Sequence, residues 1–157
     1  MNKEQLDLEF SKVAFKLSSR LVIDVDEVFL SQIEGGKDCL LQIVEKKFST
    51  QAHFLNGSFL DEQYKTSMDE NAFVLMIGKD YESCPVMHYA TKLSHRIYKT
   101  ADEERVDFRL IGTALENRFW GDEEAIRFFS IGKNQCRLIN LKLLVDYAAD
   151  WMFKNHK

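Results

Sequence analysis

The sequence contains little proline and glycine, with one proline, Pro85, and seven glycines among 157 residues. Because these residue types mark turns and irregular segments, long loops and interdomain linkers are not expected. Cysteine is also scarce: Cys39, Cys84 and Cys136 are odd in number and widely separated. This pattern argues against a disulfide framework and against a zinc site built from cysteine pairs. We therefore expect a single globular domain over residues 1–157 in a reducing, cytoplasmic compartment.

Long apolar runs and clustered cations are missing as well. An all-apolar stretch such as Ala72–Ile77 is far shorter than the roughly 18 residues of a membrane span, and the amino terminus lacks the layout of a signal peptide. The net charge is -4, and cations occur only in short groups such as Lys46-Lys47. Nucleic-acid binding needs clustered lysine and arginine to neutralise phosphates. Neither nucleic acid nor a membrane is therefore expected as a partner.

The sequence does contain bulky core material and three segments of helical periodicity. Hydrophobic residues make up 45% of the chain, including twelve Phe and two Trp, which is enough for one core in a chain of this length. Apolar residues at helical spacing predict an amino-terminal helix at Lys3–Ser18, a central helix from Pro85 to about Tyr98, and a carboxy-terminal helix at Leu141–Lys154. Asn2 and Gln5 resemble a capping pair for the first helix.

Between the helices, short apolar runs predict strands. Gly35-Gly36 and Asn56-Gly57 are typical of tight hairpin turns. The fold expected is α+β, a mainly antiparallel sheet flanked by amino-terminal, central and carboxy-terminal helices. The runs at 21–48 and 104–131 could also form helices, so the alternative is an all-α domain. The predicted strands are Leu21–Ile33, Asp38–Glu45, Ser49–Leu55, Ser58–Gln63, Ala72–Ile77, Glu104–Ala114, Glu124–Ile131 and Gln135–Ile139.

Two carboxylates, Asp24 and Asp26, follow the apolar residues of the stretch Leu21–Val28. Residues two apart on a strand point to the same face, so both carboxylates are expected at one site. Carboxylate pairs hold Mg²⁺ through hard oxygen ligands, and one member can act as a nucleophile while the other acts as acid or base.

This stretch resembles the first motif of the haloacid-dehalogenase-type phosphatases, an apolar strand that ends in Asp-x-Asp. The resemblance implies that Asp24 is the phosphorylated nucleophile, Asp26 the proton donor and Asp122, in a later acidic segment, a Mg²⁺ ligand. The sequence departs from the family in several places. A helix precedes the first motif, and no lysine marks a clear third motif. The apolar strand of the second motif ends in Gly78-Lys79 instead of Ser or Thr, and Ala125 or Ile126 stands where a second Asp is expected.

Other catalytic and metal-binding patterns are incomplete. His88 and His95 lie seven residues apart on the predicted central helix, about 10 Å at 1.5 Å per residue, which is too far to share one metal ion. Cys84 precedes Pro85 at a helix start, but no basic neighbour completes a nucleophilic pair. Glycine-rich phosphate loops and the serine-hydrolase elbow are missing. We therefore expect no cofactor and no resident metal.

The segment Glu116–Asp122 combines an arginine, two aromatic residues and two acidic residues beside a glycine turn. Arginine and tryptophan are enriched at binding hot spots, and complementary charge accelerates encounter. The function expected is a non-catalytic protein-binding module of the inhibitor, immunity or adaptor type, docking an acidic, aromatic-bearing face on a basic partner protein. The candidate residues for that face are Asp24, Asp26, Glu27, Arg118, Phe119, Trp120 and Asp122.

Two alternatives stay open beside this expectation. One is the Mg²⁺-dependent phosphatase that would use Asp24 and Asp26. The other is a sensory domain with a small-molecule pocket between the sheet and the helices, which rests on architecture alone. A homo-oligomer is compatible with each of these functions.

Overall fold

The computed structural model describes residues 1–13, 16–17, 19–55, 72–78, 86, 89 and 108–155. Within these residues no helix is long and apolar enough to cross a membrane. The elements in chain order are α1 (Lys3–Ser11), β1 (Arg20–Val25), α2 (Glu27–Ser31), α3 (Gly36–Phe48), β2 (Ala52–Phe54), β3 (Ala72–Ile77), α4 (Phe108–Phe119), β4 (Ile126–Ile131), β5 (Asn134–Asn140) and α5 (Leu141–Asn155).

The strands form one five-stranded mixed sheet in the order β2-β1-β3-β5-β4. Strand β1 pairs in parallel with both β2 and β3, whereas β5 pairs antiparallel with both β3 and β4. The α+β prediction is confirmed, but the expectation of a mainly antiparallel sheet is wrong and the all-α alternative is not supported. The physical reason is the crossover: α2 and α3 separate β1 from β2, and a helical connection of this length returns the chain in the same direction.

Apolar side chains cover both faces of the sheet, and each face carries its own helices. On β1, Leu21 and Ile23 point to one face while Val22 and Asp24 point to the other, as the twofold strand period requires. Helices α1, α2 and α3 pack on the first face, which we call the α3 face. Helices α4 and α5 pack on the second, the α5 face, together with Val86.

The chain between residues 21 and 48 differs from the sequence expectation. Strand β1 ends at Val25 because Asp26 caps α2, where its Oδ1 accepts a hydrogen bond from the Val28 N–H at 2.9 Å. The predicted strand at Asp38–Glu45 is part of helix α3, and Gly35 stands at its amino-terminal cap with φ +87° instead of in a hairpin turn. The prediction failed because clustered apolar residues on one helix face resemble a short strand.

Several sequence predictions are confirmed by the structure. The strand Ala72–Ile77 and the carboxy-terminal helix are confirmed, and Asn140 caps that helix by accepting from the Leu143 N–H at 3.1 Å. The capping box of Asn2 and Gln5 is also confirmed, although α1 ends at Ser11 instead of Ser18.

The other predicted segments have different outcomes. The predicted strand at 104–114 is wrong where the structure describes it, since residues 108–119 are helical. Strands β4 and β5 lie where strands were expected. Of the predicted hairpin at 49–63, the second strand lies outside the described residues. Val86 and Tyr89 are helical, and the rest of the predicted central helix also lies outside them.

Candidate functional site

The structure separates the seven candidate residues into two groups. Asp24, Asp26 and Glu27 lie at the carboxyl end of β1, in the middle of the sheet. The others, residues 118–122, lie at the end of α4 and in the turn that leads to the edge strand β4. Three strand spacings separate β1 from β4, about 14 Å at the usual spacing. The seven residues therefore do not form one contiguous face.

Two of the candidates are buried. Asp24 is 2% exposed and Phe119 is 0% exposed, so neither reaches the protein surface. The Phe119 ring packs edge to face against Tyr147, with centroids 5.6 Å apart. Arg118 is exposed, and its guanidinium lies 3.5 Å from the centroid of the Tyr147 ring while Nη1 pairs with Asp150 at 3.2 Å.

The two carboxylates of the Asp-x-Asp stretch do not share one strand face. Asp24 points to the α5 face, where its carboxylate accepts a hydrogen bond from the Tyr89 hydroxyl. Asp26 follows the last residue of β1, its N–H donates to the Ile77 carbonyl at 2.9 Å, and its side chain is directed to the start of α2. The two carboxylates would share a face only if β1 included Asp26, but β1 ends at Val25. The predicted carboxylate pair is therefore not formed on β1. Among the described residues, no group of three or more His, Cys, Asp and Glu side chains could hold a metal ion.

A buried arginine lies on the same face of the sheet as Asp24, two strands away, and sequence reasoning missed it. Arg137 of β5 is opposite Met76 of β3, which in turn is opposite Asp24 of β1, so the three side chains form one row on the α5 face. Arg137 is 2% exposed, and its Nη2 donates to Gln135 Oε1 at 3.4 Å. The only signal in the sequence was one charged residue between the apolar residues Cys136 and Leu138.

This row lies where mixed and parallel sheets commonly bind ligands. Strands β2 and β3 flank β1 on opposite sides, so the strand order reverses between β1 and β3. Ligands of open α/β sheets bind outside the carboxyl ends of the strands at such a reversal. Gly78 follows β3 there with φ +68°, and a Cβ atom on it would lie 3.3 Å from Asp26 Cβ. The segments that follow β1 and β3 are therefore packed closely together.

The second group contains an exposed aromatic pair. The rings of Trp120 and Phe128 stack with centroids 4.9 Å apart and planes 23° apart, and the residues are 50% and 47% exposed. Trp120 Nε1 donates to Glu116 Oε1 at 2.9 Å, and Glu116 is nearly buried. Since both the stack and the hydrogen bond hold the indole, Trp120 is a fixed rather than a freely rotating surface side chain.

A groove of about 510 Å³ runs along this pair, and we call it the Trp120 groove. Asp122 lines it and is held by two hydrogen bonds, from the Glu124 N–H at 3.0 Å to Oδ1 and from the Tyr147 hydroxyl at 3.3 Å to Oδ2. Burial, and then the Asp122 carboxylate, raise the pKa of Tyr147 above its ordinary value, so the tyrosine stays protonated and keeps donating. The lining residues are Trp120, Gly121, Asp122, Glu123, Ile126, Arg127 and Phe128.

Phe128 was not among the sequence candidates, and no local pattern marks it. It lies in an apolar strand beside Phe129, and it is exposed because β4 is at the edge of the sheet. Strand order is a long-range property that a short window of sequence does not contain.

Neither a known protein family nor a curated protein sequence matches this chain.

Proposed function

We propose that this protein is a non-catalytic protein-binding module that docks a basic segment of a partner protein in the Trp120 groove. The observation that carries the proposal is the exposed, stacked pair of Trp120 and Phe128. An aromatic anchor in a concave surface with charged residues around it has the composition of an interaction hot spot.

Preorganisation of the indole supports this function. Immobilising a side chain on binding costs about 0.5–1.5 kcal/mol, and Trp120 is already held by Phe128 and by Glu116. The cost of ordering this anchor is therefore met in the folded protein before any partner arrives. A fixed aromatic ring also presents one defined surface, which favours a specific partner.

Charge around the groove supports a basic partner. Glu123 and Glu124 are exposed on the turn before β4, next to Asp122. Among the cations nearby, Arg118 is paired with Asp150. Arg127 donates from its Nε to the Glu123 carbonyl at 3.1 Å and keeps its charge, but Asp122, Glu123 and Glu124 outnumber it. A lysine or arginine of the partner would therefore meet acidic side chains beside the aromatic pair, an arrangement that accelerates association.

The test is a site-specific crosslink. The protein is produced with a photoreactive phenylalanine analogue in place of Phe128, irradiated in lysate of the source organism, and the crosslinked peptides are identified. We expect one partner, crosslinked through an extended segment that contains lysine or arginine, and we expect Trp120→Ala to abolish the crosslink. The same analogue in place of Phe153 is the control, because Phe153 is 88% exposed on α5 outside the groove.

The outcomes separate the proposal from its competitors. If the Trp120→Ala variant crosslinked the same partner as strongly as the protein with Trp120, the proposal would be contradicted, because the indole would then contribute nothing to binding. Crosslinking of the same set of proteins at positions 128 and 153 would also contradict it, since this would indicate non-specific contact.

A second candidate function is favoured by the buried row of Asp24, Met76 and Arg137 at the strand-order reversal. Charged side chains are seldom fully buried, and this row contains two of them, Asp24 and Arg137, with the Tyr89 hydroxyl in the same region. The chemistry would suit a small metabolite that carries a carboxylate or phosphate for Arg137 and a hydrogen-bond donor for Asp24. We propose this site as the sensory alternative, and it does not depend on the Trp120 groove.

A metabolite panel tests the second candidate. A ligand at one hundred times its dissociation constant stabilises a protein by about 2.7 kcal/mol, which a thermal-shift assay detects. We expect any stabilising anion to lose its effect in Arg137→Gln and to keep it in Trp120→Ala. Stabilisation that survives Arg137→Gln would contradict the assignment of this row.

A further inference from the structure

Strand β4 presents backbone groups at the edge of the sheet that no other described strand uses. It pairs with β5, and within the described residues no other strand pairs with it. A two-residue turn joins the two strands, and its closing pair, Ile131 and Asn134, is a hydrogen-bonded pair. From that pair onwards, hydrogen-bonded and non-hydrogen-bonded pairs alternate along the two strands. The bond from the Asn140 N–H to the Ala125 carbonyl at 2.8 Å fixes the same alternation at the other end.

This alternation identifies the groups that face outward. Arg127 and Phe129 direct their N–H and C=O groups to β5, as does the Ala125 carbonyl, whereas the Ala125 N–H donates to the Asp122 carbonyl at 3.0 Å. Phe128 and Ser130 therefore direct theirs to the free edge. Ile126 also faces outward, but its N–H already donates to the Asp122 carbonyl at 3.0 Å. The edge therefore offers both groups of Phe128, both groups of Ser130 and the carbonyl of Ile126.

We infer that a second copy of this chain pairs with this edge, antiparallel and about a twofold axis at Phe128. In that register Phe128 exchanges two hydrogen bonds with its counterpart, and each Ser130 N–H donates to the Ile126 carbonyl of the other copy. Each outward N–H group of one copy then meets a carbonyl of the other copy. Such an isologous contact closes on itself, so the product is a dimer and not a filament.

Side chains on the α5 face favour the same register. Residues directly opposite in an antiparallel pair point to the same face, so the two Phe128 rings meet there. Each ring already stacks on Trp120, and the contact would gather four aromatic rings that are about half exposed in one copy. Half-exposed aromatic rings gain from leaving water in this way.

Charge is complementary along the edge as well. In this register the turn before β4 of one copy, with Glu123, and the turn after β4 of the other, with Lys133, come to the same end of the contact, and the twofold axis repeats this arrangement. Both residues are exposed. An edge strand with acid before it and base after it is complementary to itself only in the antiparallel orientation.

The dimer would cover the Trp120 groove, so self-association would compete with the partner docking proposed above. That regulatory meaning rests on the proposed function. The dimer itself is tested on the protein alone, so it can fail while the crosslinking result stands. A single edge contact is smaller than the roughly 1,200–2,000 Å² of stable interfaces, and a weak, concentration-dependent dimer is therefore expected.

Sedimentation equilibrium of the full chain tests the dimer, over protein concentrations from about 10 µM to about 1 mM. We expect a reversible monomer–dimer equilibrium. Ser130→Pro removes an outward N–H without touching the β5 ladder, a place where edge strands tolerate proline. It should raise the dissociation constant roughly 30-fold, and Phe128→Asp should do the same. Phe153→Asp is the matched control and should change nothing.

A charge exchange tests the register. Glu123→Lys alone and Lys133→Glu alone should each weaken the dimer, and the double variant should restore it. A purely monomeric protein at the highest concentration would overturn the inference. So would a dimer that keeps its dissociation constant in both Ser130→Pro and Phe128→Asp, each with an unchanged circular dichroism spectrum. A dimer weakened by the edge variants but not restored by the charge exchange would overturn the register.

Discussion

Two phenylalanines at the ends of one short segment should respond to truncation in opposite ways. Phe119 is 0% exposed and packs against Tyr147, whereas Phe128 is 47% exposed and packs on Trp120. Removing a fully buried Phe ring costs about 3–5 kcal/mol through lost transfer energy and the cavity left behind. Only about half of Phe128 is removed from water, so Phe128→Ala should cost about 2 kcal/mol on the same scale.

Urea unfolding followed by circular dichroism at low protein concentration measures both variants, with the slope of the transition compared with that of the wild type. The difference in unfolding free energy of about 2 kcal/mol corresponds to a difference of roughly 4–8 °C in Tm for a chain of this size. Partner binding, measured by co-purification with the protein that the crosslink identifies, should show the reverse order. Phe128→Ala should lose the partner, and any folded fraction of Phe119→Ala should keep it.

An equal loss of stability in the two variants would refute this reasoning. Phe128 would then belong to the core, and its exposure would carry no argument for docking. A fully stable Phe119→Ala variant would be equally damaging, because the α5 face of the sheet would then not depend on the ring at its centre.

Three further outcomes are expected. Asn140→Ala should lower the unfolding free energy by about 2 kcal/mol in urea unfolding, because the Leu143 N–H loses its cap and the Glu124 carbonyl loses a donor. Asn140→Asp keeps the cap and should cost less. Equal losses in the two variants would contradict the capping role. Burial raises the pKa of Cys136 to about 12 from 9.0, so alkylation mapped by mass spectrometry should spare this thiol in the folded protein and modify it in the unfolded protein. Because the folded state has the higher pKa, the stability that this thiol contributes is complete below pH 9.0 and is lost as the pH rises towards about 12. Asp122→Asn should lower the raised pKa of Tyr147 in an ultraviolet titration, and an unchanged titration would show that Asp122 does not act on the tyrosine.

Local sequence predicted the elements whose pattern is complete within a few residues. Ala72–Ile77 is buried on both faces, so an unbroken apolar run bounded by Gly78 was sufficient to identify a central strand. The capping box of α1 is likewise written in two residues three positions apart. These features need no knowledge of the rest of the chain.

Features that depend on distant residues were not predictable in this way. The direction of β1 relative to β3 is set by crossovers, and the role of Gly35 is set by whether a helix or a strand follows it. The functional side chains show the same limit. Phe119 and Trp120 are neighbours in sequence, yet one is buried and the other half exposed, because the helix turns one of them towards the sheet. Arg137 is buried on β5, which is flanked by β4 and by β3 from a distant part of the chain.

The strand order has a consequence for synthesis on the ribosome. Strand β3 is central only because β5 covers its second side, and β5 begins at residue 134, some sixty residues later in the chain. Domains are made amino terminus first at about 5–20 residues per second, so for several seconds the growing protein holds β1, β2 and β3 with an open apolar edge at Ala72–Ile77. That edge is a natural target for chaperones and for aggregation with neighbouring nascent chains. A stop codon before β5 should therefore give an insoluble product, even though the missing residues include neither β1 nor its carboxylates.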